Sequence, residues 1–381
     1  MSIASALGFS PGKKIRYAIV GAGDIAQEAM MPGVAHTGNS QMTAIVTGDA
    51  VKAHALGERY GVEHRYAYDQ FAEMLAAGVV DAIYLATPNW RHAEFAIPAL
   101  EAGVHVLSEK PLEVSTAKAQ AIVDAAARSG AKLMVAYRLH FEPATLDAIR
   151  RIRAGELGEV MFFTSAFAQM VDPANHRADN GLFAGPLFDM GPYPINATRY
   201  LFEAEPVEVV SAVATRHPQA GLGADVDDTV AVTLRFPGDR LAQFTCSYHA
   251  NAIDSFIVAG TKGSIAMNPA YTFGKSLEQN RTIGEHKTHE SFKATDQFGG
   301  EMRYFSDCIL NGTDPEPDGE EALADLRVIE GIVRALESGR AEPLPPFRRH
   351  RRIDPDAQEQ SLRGVTAPAP VHAADPAGKT G

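Results

Sequence analysis

Between Lys13 and Arg138, short apolar runs alternate with longer, Ala-rich stretches of mixed character. The runs are Ile15–Val20, Met42–Val46, Val80–Ala86, Val104–Leu107 and Leu133–Tyr137. None alternates cleanly with polar residues, the pattern of parallel strands covered on both faces. The stretches between them, such as Ala50–Tyr60, Gln70–Ala77 and Thr116–Ser129, have helical length. Strand–helix alternation of this kind predicts a doubly wound parallel sheet, an α/β Rossmann arrangement. Pro98 interrupts a helix predicted from about His92 to Ala102 and should kink it or sit in its first turn.

Beyond Glu142 the period changes from mixed to alternating. Pro143–Ala154 reads as a helix and Glu159–Phe167 as the start of a new pattern. In Asp228–Phe236, Val230, Val232, Leu234 and Phe236 share one face. In Leu241–Tyr248, Ala242, Phe244, Cys246 and Tyr248 do the same, and the turn Pro237-Gly238-Asp239 joins the two runs as a hairpin. This predicts a large, open, mostly antiparallel sheet in an α+β domain. Helices are predicted over about 301–311 and 320–338. The expected division is therefore 13–140 for a dinucleotide-binding domain, 141–345 for a substrate and oligomerisation domain, and 346–381 for a mostly disordered or draped tail. Arg348-Arg349-His350-Arg351-Arg352 in that tail reads as a solvated charge run.

Composition narrows the function classes. The chain has 381 residues, 35 Lys+Arg against 47 Asp+Glu, and a formal charge of −12, which disfavours nucleic acid as a partner. Two cysteines, Cys246 and Cys308, are too few for a disulfide framework or a cysteine-rich metal site. The thirteen histidines form no H-x-x-x-H or H-E-x-x-H arrangement, so no metal site is expected. No apolar run is long enough to span a bilayer, and the N-terminal segment is a poor export signal, so a cytoplasmic protein is expected.

The chemistry begins where the first strand runs into Gly21-Ala22-Gly23-Asp24-Ile25-Ala26. This is G-x-G-x-x-A between a strand and a helix, the context of a dinucleotide fingerprint. The first glycine allows the turn, the second lets backbone approach a pyrophosphate, and the small Ala26 permits helix–strand packing. Free N–H groups at the helix start favour the anion. After the second strand, Thr47, Gly48 and Lys52 suit the 2′-phosphate of NADP. Asp49, one residue on, leaves NAD as the alternative, because an acidic side chain there accepts from ribose hydroxyls. The fifth strand ends at Glu109-Lys110-Pro111, where the carboxyl ends of parallel strands face a ligand crevice. Lys110 could there reach a substrate hydroxyl and its acid–base partner.

The combination Gly21-x-Gly23-x-x-Ala26, Thr87-Pro88-Asn89 with His92, and Glu109-Lys110-Pro111 resembles the Gfo/Idh/MocA family of sugar oxidoreductases. The resemblance extends from about Lys13 to Pro343. Tyr137-Arg138-Leu139-His140-Phe141-Glu142-Pro143 and Asp189-Met190-Gly191-Pro192-Tyr193 are similar to the glucose–fructose oxidoreductase branch, in which Tyr replaces the His of inositol dehydrogenases. It implies Lys110 and Tyr193 as a catalytic pair and Asp189 as an orienting carboxylate. It also implies a cofactor site of Gly21, Gly23, Asp24, Ile25, Thr47, Gly48, Lys52, Thr87, Pro88, Asn89, His92, Glu109, Lys110, Arg138 and Arg177.

Tyr193 would take the proton of a sugar hydroxyl as hydride leaves for the nicotinamide. Free tyrosine titrates at about pH 10, and a close ammonium favours its phenolate. Asp189 and Tyr193 are four apart, so both emerge on one face if a helix begins there. Gly185-Pro186-Leu187-Phe188 stands where the family carries a glycine run, and His176-Arg177 where it carries Trp-Arg. The expected activity is oxidation of an aldose at C1, with a sugar-pair reaction if the cofactor is retained. A conventional NAD(P) polyol or sugar dehydrogenase that releases its cofactor is the alternative, and a non-catalytic dinucleotide-binding regulator a second one. The resemblance further implies a homodimer or homotetramer built through the open sheet.

Overall fold

A computed structural model describes residues 12–178, 183–373 and 376–378. The first sheet has six parallel strands: β1 (Ile15–Val20), β2 (Ser40–Val46), β3 (His64–Tyr66), β4 (Ala82–Leu85), β5 (His105–Ser108) and β6 (Leu133–Val135). Their order, β3-β2-β1-β4-β5-β6, is the doubly wound arrangement expected from the alternation. Five strands coincide with the apolar runs. The sixth, β3, is a three-residue edge strand whose sequence, His-Arg-Tyr, carries no apolar signal. Pro98 lies inside the helix His92–Glu101, the seventh of its ten residues, and not in its first turn.

The second sheet has nine strands: β7 (Val160–Met170), β8 (Glu208–Thr215), β9 (Thr229–Phe236), β10 (Arg240–Ser247), β11 (His249–Gly260), β12 (Gly263–Met267), β13 (Leu277–Ile283), β14 (His286–Phe292) and β15 (Glu342–Pro343). They run in the order β14-β13-β12-β11-β7-β10-β9-β8-β15. Only β7 and β10 pair in parallel. The β9–β10 hairpin sets Leu234 opposite Ala242, Val232 opposite Phe244 and Val230 opposite Cys246. All six are buried, as the alternation requires.

The two regions are interleaved in sequence. After β14 the helix Gln297–Asn311 returns to the first sheet, where Phe298, Met302 and Phe305 join Ile15, Tyr17 and Ile19 in one core. Ser306 Oγ lies 2.8 Å from both Tyr17 Oη and Ser40 Oγ, fixing that helix over β1 and β2. The next helix, Gly319–Ser338, packs on Thr116–Ser129 through Gly319, where an added Cβ would lie 2.4 Å from Val123 Cγ2. Thr116 Oγ1 donates to Glu330 Oε1 at 2.7 Å across the same contact.

The segment after Pro345 follows the surface and is tied to it. Arg349, expected in a solvated charge run, instead has a fully buried side chain, with Nη2 2.8 Å from Glu316 Oε2 and Nε 2.8 Å from Glu321 Oε2. Burial opposes the Glu321 charge, but Arg199 and Arg349 together hold its carboxyl down at about 2. Buried acids gather around a run of like charge here, so the run is split between core and solvent. Among the described residues, no helix is long and apolar enough to cross a membrane.

Candidate active site

A cleft of about 740 Å³ opens where the carboxyl ends of the parallel strands face the second sheet. Gly21, Ala22, Gly23, Asp24 and Ile25 line one wall. Gly21 has φ 92°, and a Cβ there would sit 2.6 Å from Ala86 O, so only glycine fits the turn. Gly23 has no described atom within 4 Å of where its Cβ would point. That opening is the room a pyrophosphate needs against backbone N–H groups. Thr87 Oγ1, buried in the segment that packs against this turn, has no hydrogen-bond partner among the described residues. A bare backbone cradle beside an unpaired hydroxyl fits a dinucleotide.

Thr47 and Lys52 line the outer end of the cleft beside Tyr68. Burial pushes the Lys52 ammonium down, and Asp49 partly offsets it. Gly48 is exposed, and a Cβ there would meet the Tyr68 ring at 3.3 Å. Asp49 caps the helix Ala50–Tyr60 by accepting from Lys52 N at 2.9 Å.

The expected catalytic residues meet at the inner end. Lys110 follows β5, and its Nζ donates to Asp189 O at 2.9 Å and lies 3.6 Å from Asp189 Oδ1. Asp189 closes the turn Pro186–Asp189, and Tyr193 stands in the first turn of the helix Pro192–Phe202. The predicted contact between Lys110 and the Tyr193 hydroxyl takes another form. Lys110 Nζ sits 4.6 Å from the centre of the Tyr193 ring, and it is Arg138 Nη2 that donates to Tyr193 Oη, at 3.1 Å. Arg138, expected among the cofactor ligands, is a buried cation at the phenol. It also donates to Gln297 Oε1 and Tyr271 O and lies against Phe273 and Phe298.

Asp189 gathers two further ties. Tyr248 Oη donates to its Oδ2 at 2.8 Å, and Arg177 Nη1 lies 3.6 Å from the same oxygen. Burial works most strongly against the Arg177 charge, but Asp189 together with Tyr248, Asp24 and Tyr193 outweighs it and raises the guanidinium above its ordinary value. Glu109 accepts from Tyr84 Oη at 2.7 Å and lines the cleft. Asn89 Oδ1 accepts from Trp90 N at 3.0 Å, and Pro88, Asn89 and Trp90 all face the cleft.

His92, expected among the cofactor residues, lines the cleft and turns its ring nitrogens to the protein backbone. It is buried, with Nε2 2.9 Å from Thr87 O and Nδ1 3.1 Å from Pro111 O and Leu112 O. Burial lowers it to about 4, so the ring is neutral and its single N–H serves one side at a time. His92 is a brace between the Thr87 loop and the Lys110-Pro111 turn. Cys246 is buried in the core, where desolvation pushes its thiol up and away from nucleophilic chemistry.

Sequence reading missed Tyr248, Tyr271 and Gln297 as site residues. The parity of β10 signalled burial for Tyr248, but nothing in the pattern marked its hydroxyl as an Asp189 partner.

Comparison with known proteins agrees with this geometry. Residues 15–137 match the model of an oxidoreductase family with an NAD-binding Rossmann fold, and residues 145–266 match the GFO/IDH/MocA C-terminal domain. An NADP(+) D-xylose 1-dehydrogenase of Haloarcula marismortui is 34% identical over 332 residues, spanning 85% of this chain and 91% of the relative. The crystal structure of an aldose-aldose oxidoreductase from Caulobacter crescentus, complexed with glycerol, superposes with a TM-score of 0.82 at 34% identity, covering 87% of this chain and all of that one. An NADP-bound 3-ketoreductase of Actinomadura kijaniata gives 0.77 at 26% identity, over 86% and 98% of the two chains. The fold, the cleft and these likenesses agree: the chain belongs to the GFO/IDH/MocA family of oxidoreductases.

Proposed function

We propose that the protein is an NADP-dependent sugar oxidoreductase that oxidises C1 of a pyranose aldose to the lactone. The observation that carries this reading is the convergence of Lys110 and Arg138 on Tyr193, with Asp189 holding Lys110, at the inner end of a dinucleotide cleft. The similarity to a D-xylose 1-dehydrogenase and an aldose-aldose oxidoreductase supports the substrate class and the carbon.

Tyr193 is the acid–base residue: its oxygen receives the proton of the C1 hydroxyl. Arg138, donating to that oxygen, stabilises the negative charge it carries as the base before the proton arrives and leaves it a neutral phenol. Lys110, against the ring, adds a second cation and has remaining N–H groups for the sugar. Asp189 is a positioning residue that holds Lys110 through its carbonyl and Tyr248 through its carboxylate. Phe167, Tyr271, Phe273 and Phe298 wall the inner end and exclude water, which strengthens each of these interactions. Gly21, Gly23 and Ile25 would hold the cofactor pyrophosphate, and Thr47 and Lys52 its 2′-phosphate. NADP, when bound, supplies the hydride acceptor.

Lys110→Met tests the assignment. Sugar oxidation should fall by about 10³-fold, within the range of a lost acid–base component, while NADP affinity is largely kept. An unchanged rate would overturn the role of Lys110.

A sugar-pair cycle with retained cofactor is a second reading, favoured by the aldose-aldose oxidoreductase likeness. Protein that carries nicotinamide absorbance through gel filtration and converts two sugars without added NADP supports it, whereas strict dependence on free cofactor refutes it. Phe162, Leu241 and Ile257 are exposed on β7, β10 and β11, in support of a homodimer or homotetramer through the open sheet. Sedimentation equilibrium reads the oligomer directly.

A further inference from the structure

Residues 369–373 and 376–378 touch the two halves of the cleft rim. Arg59 Nη1 donates to Ala369 O at 2.7 Å. Gln27, itself buried, holds Val371 twice: Val371 N donates to Gln27 Oε1 at 2.7 Å, and Gln27 Nε2 donates to Val371 O at 3.0 Å. The same Nε2 donates to Ala22 O, inside the glycine turn, at 2.9 Å. Pro376 lines the cleft, and its carbonyl accepts from Asp172 N, beyond β7 of the second sheet, at 2.8 Å.

Between these anchors stands His372, with φ 45°, a left-handed conformation that non-glycine residues hold only where neighbours impose it. Its Nδ1 lies 2.8 Å from Asp49 Oδ2, across 323 positions of sequence. Asp49 sits below its ordinary value, first because it accepts from Lys52 N and next because of His372, so the carboxylate only accepts and the imidazole donates.

We propose that His372 is a specificity-determining residue for the cofactor's 2′-phosphate, acting by occupying Asp49. The proposal rests on the reading of the protein as an NADP enzyme. An acidic residue at this strand end selects NAD by accepting from the ribose hydroxyl and repelling a phosphate. Each Asp49 oxygen already accepts one bond, Oδ1 from the Lys52 amide and Oδ2 from His372. Each oxygen keeps a further lone pair, but the His372 donor offsets part of the charge on Oδ2 and takes one of the directions from which a ribose hydroxyl would approach it. Thr47 and Lys52 are then left to meet a phosphate. Removing His372 lifts both effects from Oδ2, and the site reverts toward the NAD pattern that its local sequence describes.

The test is equilibrium binding of NADP and NAD, read by fluorescence of the only tryptophan, Trp90, which lines the cleft. His372→Ala should weaken NADP by about fivefold, the scale of one partly exposed charge contact, and leave NAD unchanged or tighter. In an Asp49→Asn background, where Asn keeps the cap, the same His372 change should have no effect on either ligand. His372→Gln, which keeps a donor, should recover most of the NADP affinity. Equal weakening of NADP and NAD, or a full His372 effect in the Asp49→Asn background, would overturn the proposal. A wild-type preference for NAD would instead overturn the NADP reading, while the coupling between Asp49 and His372 could still be measured with NAD. Both side chains are at the surface, 57% and 36% exposed, so these variants should melt as the wild type does.

Discussion

At the inner end of the cleft the Lys110 side chain is 12% exposed, and each charged group there has at least two fixed partners. Beside the outer end Asp49 and His372 are 36% and 57% exposed, and the bond between them lies at the surface. The inner residues come from β5, the helix Pro192–Phe202 and the loop after β6, all set by core packing. The outer residues come from one strand end and a surface segment. The difference separates two jobs. Preorganised charge in a dry wall serves a transition state, whereas ligand preference needs only small biases at an accessible rim. Changes at the inner end should therefore cost rate, and changes at the outer end should alter choice.

The largest break of this contrast is Tyr193→Phe. It keeps the ring against Phe167 but removes the proton acceptor, so kcat should fall by about 10³-fold or more with NADP affinity within about twofold of wild type. Steady-state kinetics beside a binding titration reads both numbers. Arg138→Lys comes next: it keeps charge but loses the planar fork that reaches Tyr193, Gln297 and Tyr271 together. It should lower kcat by about 10²-fold, a loss comparable to one oxyanion-type donor. A loss confined to KM would show that Arg138 serves ground-state binding instead.

The third effect is on stability in acid. His92 titrates at about 4 in the folded chain against 6.5 ordinarily. Between those values only the unfolded chain takes up its proton, so stability falls as pH drops from 6.5 toward 4 and is unaffected above. The slope is about 1.4 kcal/mol per pH unit for this one group. His140, lowered to about 4 by burial, adds a second term of the same sign. Thermal melts across this window should flatten in His92→Gln, and an unchanged slope would refute the buried neutral brace. The smallest change is Gly48→Asp at the outer end, which should shift the NADP to NAD ratio of kcat/KM by about fivefold toward NAD without altering kcat.

Legibility followed the same division. The parallel strands could be read because burial on both faces leaves continuous apolar runs. His64-Arg65-Tyr66 could not, because an edge strand of three polar residues has no period to detect. The glycine turn and the Lys110 and Tyr193 positions were readable from motifs at strand and helix ends. That Arg138 reaches the Tyr193 hydroxyl was not, since the two lie 55 residues apart on separate elements. Composition described Arg348–Arg352 as one block of charge. Its division depends on where Glu316 and Glu321 lie in space, although acids crowded between 316 and 321 were a signal in the sequence.

The burial of Arg349 also bears on the order in which the chain can finish folding. Synthesis proceeds from the N-terminus, and domains fold as they emerge. Both sheets and the helix Gly319–Ser338 are made before Arg349 leaves the ribosome. Until then Glu316 and Glu321 face each other in a closing core with half their counter-charge missing. Losing one partner of a buried pair costs about 3–5 kcal/mol, so this junction stays open until the last segment arrives. The run that composition marks as solvated charge thus supplies a buried cation that this junction needs in order to close.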